Sequence, residues 1–355
     1  MRIILIVLLM AISVHSSADT WDGFTITVPS KSGTTYTVAS CANLAWLAQQ
    51  VNAGTTFSGY TFTVVSDLNL NNKSWTPIGI SFSTTFKGTF NGEGYTISNL
   101  YISGSWSYSY WGLFGYISSP AILENIVLSG ASVSSYNTVS GLVGYTQGTS
   151  SSSTVEILNC SVSGTITNNS WNPCGGLVGD ADSYTTIQNC SFSGSVSGDS
   201  QTGGLVGLIN STLSFSNNYS TGSVTGNQYT GGFAGTVSAA ATFQGCYSTA
   251  SVTPVGDYAG GFVGYLSGNA PVYNCFATGT LSSSSNNSGG FIGYSNSTAP
   301  IANCYAMGEV SGLCYVGGFI GDINASQSIV NCYATGAVIG VGNNPGGGFV
   351  GGVSS

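Results

Sequence analysis

Small polar and apolar residues alternate in short bursts along this chain. Thr165-Ile-Thr167, Ser195-Val-Ser197, Ser223-Val-Thr225, Ser251-Val-Thr253 and Thr280-Leu-Ser282 are one such series. Alternation with period two predicts strands with one buried face. Each triplet follows a second phrase, as in Asn159-Cys-Ser-Val-Ser-Gly164, Asn189-Cys-Ser-Phe-Ser-Gly194, Asn274-Cys-Phe-Ala-Thr-Gly279 and Asn303-Cys-Tyr-Ala-Met-Gly308. Asn suits a bend because it tolerates a left-handed φ. Stacked Asn amides can also hydrogen-bond up a column. A helical pattern occurs once, over 40–52. There Ser40 is a candidate N-cap, Leu44, Leu47, Ala48 and Val51 share one face, and Gly54 lies just past the end.

A third phrase sets the period: Trp111-Gly-Leu-Phe-Gly115, Ser140-Gly-Leu-Val-Gly144, and later copies such as Gly260-Gly-Phe-Val-Gly264 and Gly347-Gly-Phe-Val-Gly351. Its second residue falls at 112, 141, 176, 204, 232, 261, 290, 318 and 348, with spacings of 29, 35, 28, 28, 29, 29, 28 and 30. A fixed period near 29 made of strand-like pieces predicts a solenoid, because one repeat cannot bury its apolar side alone. The expected architecture is all-β: one β-solenoid (parallel β-helix) of nine rungs, each with three short strands, stacked at about 4.8 Å per rung. Residues 1–18 are expected to be a secretory signal, with Arg2 before an apolar run and small residues before the cleavage point. Residues 19–75 then form an N-terminal cap whose helix covers the first rung, and 76–355 the solenoid. The last residues, 346–355, leave an edge expected to be open to another strand.

These phrases resemble the GLUG-motif family, named for its Gly-Leu-any-Gly signature. The resemblance covers roughly 75–355. It includes the upstream stretch Trp75-Thr-Pro-Ile-Gly79 and Phe86-Lys-Gly-Thr-Phe-Asn-Gly-Glu-Gly-Tyr-Thr-Ile-Ser-Asn-Leu100. It implies a surface or secreted module of adhesin-like proteins, found also as an accessory region of some secreted peptidases. It brings no catalytic residues.

Composition then narrows the chemistry. Charged residues are 5% of the 355, with four Lys and Arg, one His and a net charge of −8. No Lys, Arg or His follows Lys87. Binding nucleic acid by neutralising phosphates is therefore excluded for the repeats. So are Ser-His-Asp and Cys-His sites and His-ligated metals. No cofactor is expected, no membrane span in the secreted chain, and no enzymatic activity.

Stacking places equivalent residues in columns. One holds Cys160, Cys190, Asn218, Cys246, Cys275, Cys304 and Cys332, while Cys41, Cys174 and Cys314 lie off it. Parity with Ile166, Val196, Val224, Val252 and Leu281 points this ladder inward. Buried free thiols or disulfides between neighbours both fit it. The adjacent column, Tyr219, Tyr247, Phe276, Tyr305 and Tyr333, points outward by the same parity, unless the bend turns it in. An exposed aromatic stripe suits a glycan or protein interface. Asp180 and Asp182 lie two apart on one strand face, expected as a solvated pair or a weak Ca²⁺ site. Asp180 and Asp322 are five repeats apart, too far for a glycosidase pair.

The sequence therefore predicts a secreted, non-enzymatic structural or adhesive solenoid. Its expected partners are further copies of itself, joined through the open edge into fibres, or cell-surface and matrix glycans or proteins. A glycan-binding module using the aromatic stripe is the alternative.

Overall fold

Each turn of the chain visits four faces, and each face is a sheet built from successive turns. In the computed structural model, which describes residues 18–104, 107–342 and 346–354, these sheets have nine, twelve, sixteen and eight strands. One turn runs from Val143–Gln147 on the first face to Val155–Leu158 on the second. It continues through Ser161–Asn168 on the third and Cys174–Gly175 on the fourth, then enters Val178–Asp182, back on the first. Pairing is parallel throughout, apart from Ser30–Ser32 against Thr35–Val38 and two isolated antiparallel bridges. The expected all-β parallel solenoid is the observed fold. Eight turns carry a fourth strand of two to four residues that runs into the glycine phrase, which adds a face to the three expected.

The stack runs to about eleven turns, not nine. The two additional turns come from the segment expected to be a separate cap. Thr35–Val38 pairs in register with Thr61–Val64, which pairs with Thr89–Asn91, and Asp19–Thr20 pairs with Leu68–Asn69. The alternation of Thr61-Phe-Thr-Val64 sets this register without the glycine phrase. The helix, Cys41–Asn52, lies inside the first circuit. The chain leaves the second face at Val38, forms the helix and returns to the same face at Thr61. Ser40 caps it through Asn43 N, and Leu44, Leu47, Ala48 and Val51 are buried in the core. The expected export signal lies outside the described residues except for Ala18.

The core is a set of columns. Leu113, Leu142, Leu177 and Leu205 occupy the apolar position of the glycine phrase, followed by Phe233, Phe262, Phe291 and Phe319, all fully buried. The phenylalanines stack at 4.7, 4.8 and 4.9 Å. Each contributes about 1.5–3 kcal/mol by burial. The glycines of the phrase are required by close approach. A Cβ on Gly260 would lie 1.9 Å from Val263 O, and one on Gly261 2.2 Å from Gly290 O in the next turn, while neither has a left-handed φ.

Candidate functional site

The Asn-Cys-aromatic phrase forms the corner between the second and third faces. Asn125, Asn159, Asn189, Asn217, Asn274, Asn303 and Asn331 all sit at φ of 53 to 55°. The left-handed residue turns the strand, and its side-chain amide then bonds its own kind. Asn159 Nδ2 donates to Asn125 Oδ1 at 3.2 Å, Asn189 to Asn159 at 3.0 Å and Asn303 to Asn274 at 3.1 Å. Where the ladder skips, Gly245 takes the same conformation at φ 63°.

After this bend the cysteines point inward. Cys160, Cys190, Cys246, Cys275 and Cys304 are buried, and Cys332 is half-buried in the last turns. All nine cysteines are free thiols. In the ladder they complete the hydrogen bonding of the corner. Cys160 N donates to Cys190 Sγ, Cys246 N to Cys275 Sγ and Cys275 N to Cys304 Sγ, at 3.3 to 3.4 Å. Cys160 Sγ in turn donates to Leu158 O at 3.2 Å, a pattern repeated at Cys190 and Cys275. Asn218 fills the same role, with Oδ1 accepting from Cys190 N at 2.8 Å and Nδ2 donating to Ile187 O at 2.7 Å. Burial pushes the Cys160, Cys174 and Cys275 thiols well up, and burial followed by the Asp19 charge pushes Cys41 up to about 12. Such thiols are poor nucleophiles.

The next residue points outward. Tyr219, Tyr247, Phe276 and Tyr305 are part-exposed and Tyr333 is 49% exposed. The rings stack face to face at 4.9, 4.6, 4.8 and 5.2 Å, within 7° of parallel. This geometry limits what the stripe offers a ligand. Each inner ring has both faces covered by its neighbours, so solvent meets ring edges and hydroxyls. A sugar stacks on a ring face.

Two tyrosine clusters on the first and fourth faces escaped the sequence reading. Tyr110, Tyr116 and Tyr145 pack mutually at 4.6 to 5.5 Å. Tyr229, Tyr258, Tyr265 and Tyr294 form the second set, at 5.2 to 5.5 Å. Each cluster ends on a carboxylate in register, Tyr145 beside Asp180 and Tyr294 beside Asp322. The sequence signal was the tyrosine directly after the glycine phrase, at 116, 145, 265 and 294.

Asp180 and Asp182 are not the solvated pair expected. Asp182 accepts from Tyr145 Oη and Ser183 N, both at 2.6 Å. Asp180 Oδ1 is buried without a partner. Burial, then the Asp182 charge, pushes Asp180 up to about 7, against a hydrogen bond with Asn210 that lowers it. Asp322, 3% exposed, accepts from Ser354 Oγ at 2.7 Å and lies in the same column five turns on. Among the described residues no group of three His, Cys, Asp or Glu side chains is arranged to hold a metal. No helix among them is long and apolar enough to cross a membrane.

Comparison with known proteins agrees with this geometry. Halomucin from Haloquadratum walsbyi (strain DSM 16790 / HBSQ001) is 32% identical over 154 residues, which is 41% of this chain and 2% of halomucin. The chain therefore spans only a small fraction of that relative. A crystal structure from Bacteroides ovatus, provisionally named an immunoglobulin A1 protease, is similar over 70% of this chain and 77% of its own, with a TM-score of 0.59 and 22% identity. That likeness concerns the fold. Residues 256–282, one turn of the stack with Gly260-Gly-Phe-Val-Gly264 and Cys275 inside it, match the family described as the GLUG motif. The chain is a parallel β-solenoid that carries the GLUG motif.

Proposed function

We propose that the chain is a non-enzymatic extracellular element, structural or adhesive, whose working part is the rod itself. The observation that carries this reading is that chemistry-bearing side chains lie in rows instead of converging on a point. Asp180 and Asp322 share one column five turns apart, and the ladder cysteines are tied to backbone groups. The name carried by the Bacteroides ovatus structure belongs to that protein. In this chain the described residues include no histidine to serve a serine or cysteine nucleophile. The export signal expected over 1–18 and the partial likeness to halomucin support the extracellular placement.

The stacked ladders stiffen such a rod. At its C-terminal side Val330, Tyr333, Ile339, Val341 and Val353 are 44 to 78% exposed, and among the described residues Val350–Val353 pairs only with Ile320–Ile323. An edge of this kind pairs with whatever strand is presented to it, one from a second copy included. Electron microscopy and sedimentation of the purified chain test this, together with retention of chain-coated beads on cells and matrix. The expected result is rods of one width, ~50 Å long or in multiples of that length, and beads that are retained. Single-length rods retained on no surface would overturn the reading.

A further inference from the structure

The regular circuit is interrupted twice at the corner between the first and second faces. Ten residues separate Gly179 from Asn189, but fifteen separate Gly144 from Asn159. The extra length forms a loop closed by the Ser150–Ser153 bridge, and a loop closed by Ser81–Thr84 rises two turns earlier. Between them the intervening turn stays tight, with Ala121 N bonded to Ser118 O. In repeat proteins such insertions gather on one face, often the binding face.

The two loops flank a cavity of about 450 Å³. Phe82 and Lys87 stand on one side, Gln147 and Thr149 on the other, with Thr85 and Ser118 between. Phe82 is 73% exposed, and its ring rests edge-to-face on Tyr116 at 6.1 Å. Unlike the rings of the stripe, it is not sandwiched in a stack. Tyr116 Oη donates to Gln147 Oε1 at 2.6 Å, which fixes the amide and leaves Nε2 without a partner among the described residues. Thr85 Oγ1 lies 3.1 Å from Ser118 Oγ. Lys87, the last cation in the sequence, forms no ion pair among the described residues.

This lining combines one apolar ring with hydroxyls, an amide and an ammonium. An apolar peptide would need more carbon than one phenyl ring supplies. A polyanion would meet one lysine on a chain of net charge −8. A sugar has the matching chemistry: a C–H face for the ring, and hydroxyls that both donate and accept.

We propose that the groove between the two insertion loops binds a saccharide, seated on Phe82 and hydrogen-bonded by Thr85, Ser118, Gln147 and Lys87. The proposal gives the adhesive reading a ligand class and rests on it. Rod shape and assembly do not enter the binding measurement, so the two fail separately. The purified chain is screened on a glycan array. It is then titrated by calorimetry with cellopentaose and chitopentaose as neutral probes, and oligogalacturonate and 3′-sialyllactose as acidic ones. At least one saccharide is expected to bind. Phe82→Ala is expected to weaken that binding tenfold or more with an unchanged circular dichroism spectrum, because the ring is largely in solvent. Trp171→Ala, at an exposed indole on another corner, is expected to leave it unchanged. Lys87→Gln separates the sources: a tenfold loss identifies an acidic sugar, and a change under twofold a neutral one. Absence of binding across the array, or binding insensitive to Phe82→Ala, would overturn the proposal.

Discussion

Replacing one glycine of the repeated phrase at two places separates steric necessity from backbone preference. At Gly261 an added Cβ falls 2.2 Å from Gly290 O and 3.1 Å from the Ala277 side chain. Both obstacles belong to the neighbouring circuit, so relief requires the turns to part by about 1 Å, since non-bonded heavy atoms settle near 3.5 Å. That strains Gly261 N to Gly289 O at 3.1 Å and Phe262 N to Phe291 O at 2.8 Å. Overpacking costs about 1–3 kcal/mol, and a weakened backbone hydrogen bond adds roughly 1 kcal/mol. Reduced freedom of the unfolded chain offsets about 0.4–1 kcal/mol. Gly261→Ala should therefore destabilise by ~2–3 kcal/mol. Gly348 is the equivalent glycine of the last phrase, and nothing lies within 4 Å of its added Cβ. Neither glycine has a left-handed φ. Gly348→Ala should then be neutral or stabilising by up to ~1 kcal/mol. Urea unfolding followed by circular dichroism gives both values, compared at unchanged m. Equal effects at the two sites would refute the close-approach explanation of the motif.

Two further outcomes follow from buried groups. Asp180 holds its proton up to about 7 in the fold but ionises from 3.8 in the unfolded chain. The native state binds the extra proton between these values, so this group's contribution to stability falls as pH rises through that window and is level above it. Asp180→Asn should flatten that slope and stabilise the protein at pH 8 by a few kcal/mol, each tenfold change in proton affinity being worth ~1.4 kcal/mol; identical pH–stability curves for the two proteins would refute the burial argument. Nine free thiols should react with a thiol reagent after unfolding without reductant, and in the folded protein the part-exposed Cys314 should react before the buried ones. Fewer than nine on unfolding would establish disulfides instead.

Periodicity and parity made the repeating part of this molecule legible. The Asn bend, the inward Cys160 column and the outward Tyr219 column all follow from one left-handed residue and alternation after it. What parity leaves open is the relation between faces. Tyr145 and Tyr110 are far apart in the sequence order of the turn, yet their rings lie 4.6 Å apart because the fourth face meets the first at the glycine phrase. Likewise, outward direction says nothing about whether a ring face is free, and only the 4.6–5.2 Å stacking reveals that the stripe presents edges. The groove was foreshadowed by one number, the spacing of 35 between Gly141 and Gly176. A sequence does not say which corner receives the excess. The early turns were missed for the opposite reason, since Thr61–Val64 keeps the register without the phrase that marks the others.

The scarcity of charge is a consequence of stacking in register. A residue type repeated every turn meets its own kind about 4.8 Å away, so a column is stable only if its side chains attract one another or ignore one another. Asn amides donate to Asn amides, Phe and Tyr rings stack, and cysteine sulfurs bond backbone groups of the adjoining turn. A carboxylate or ammonium column would repel itself. Charge is therefore admitted only where a column changes type. Asp180 follows Tyr145 and precedes Leu208, Asp322 follows Tyr294 and precedes Gly352, and Lys87 stands beside an inserted loop. In a rod whose regular surface is fixed by self-complementarity, recognition of anything other than another copy has to come from these departures from the repeat. The groove beside Phe82 and Lys87 is where departures in sequence, length and charge coincide.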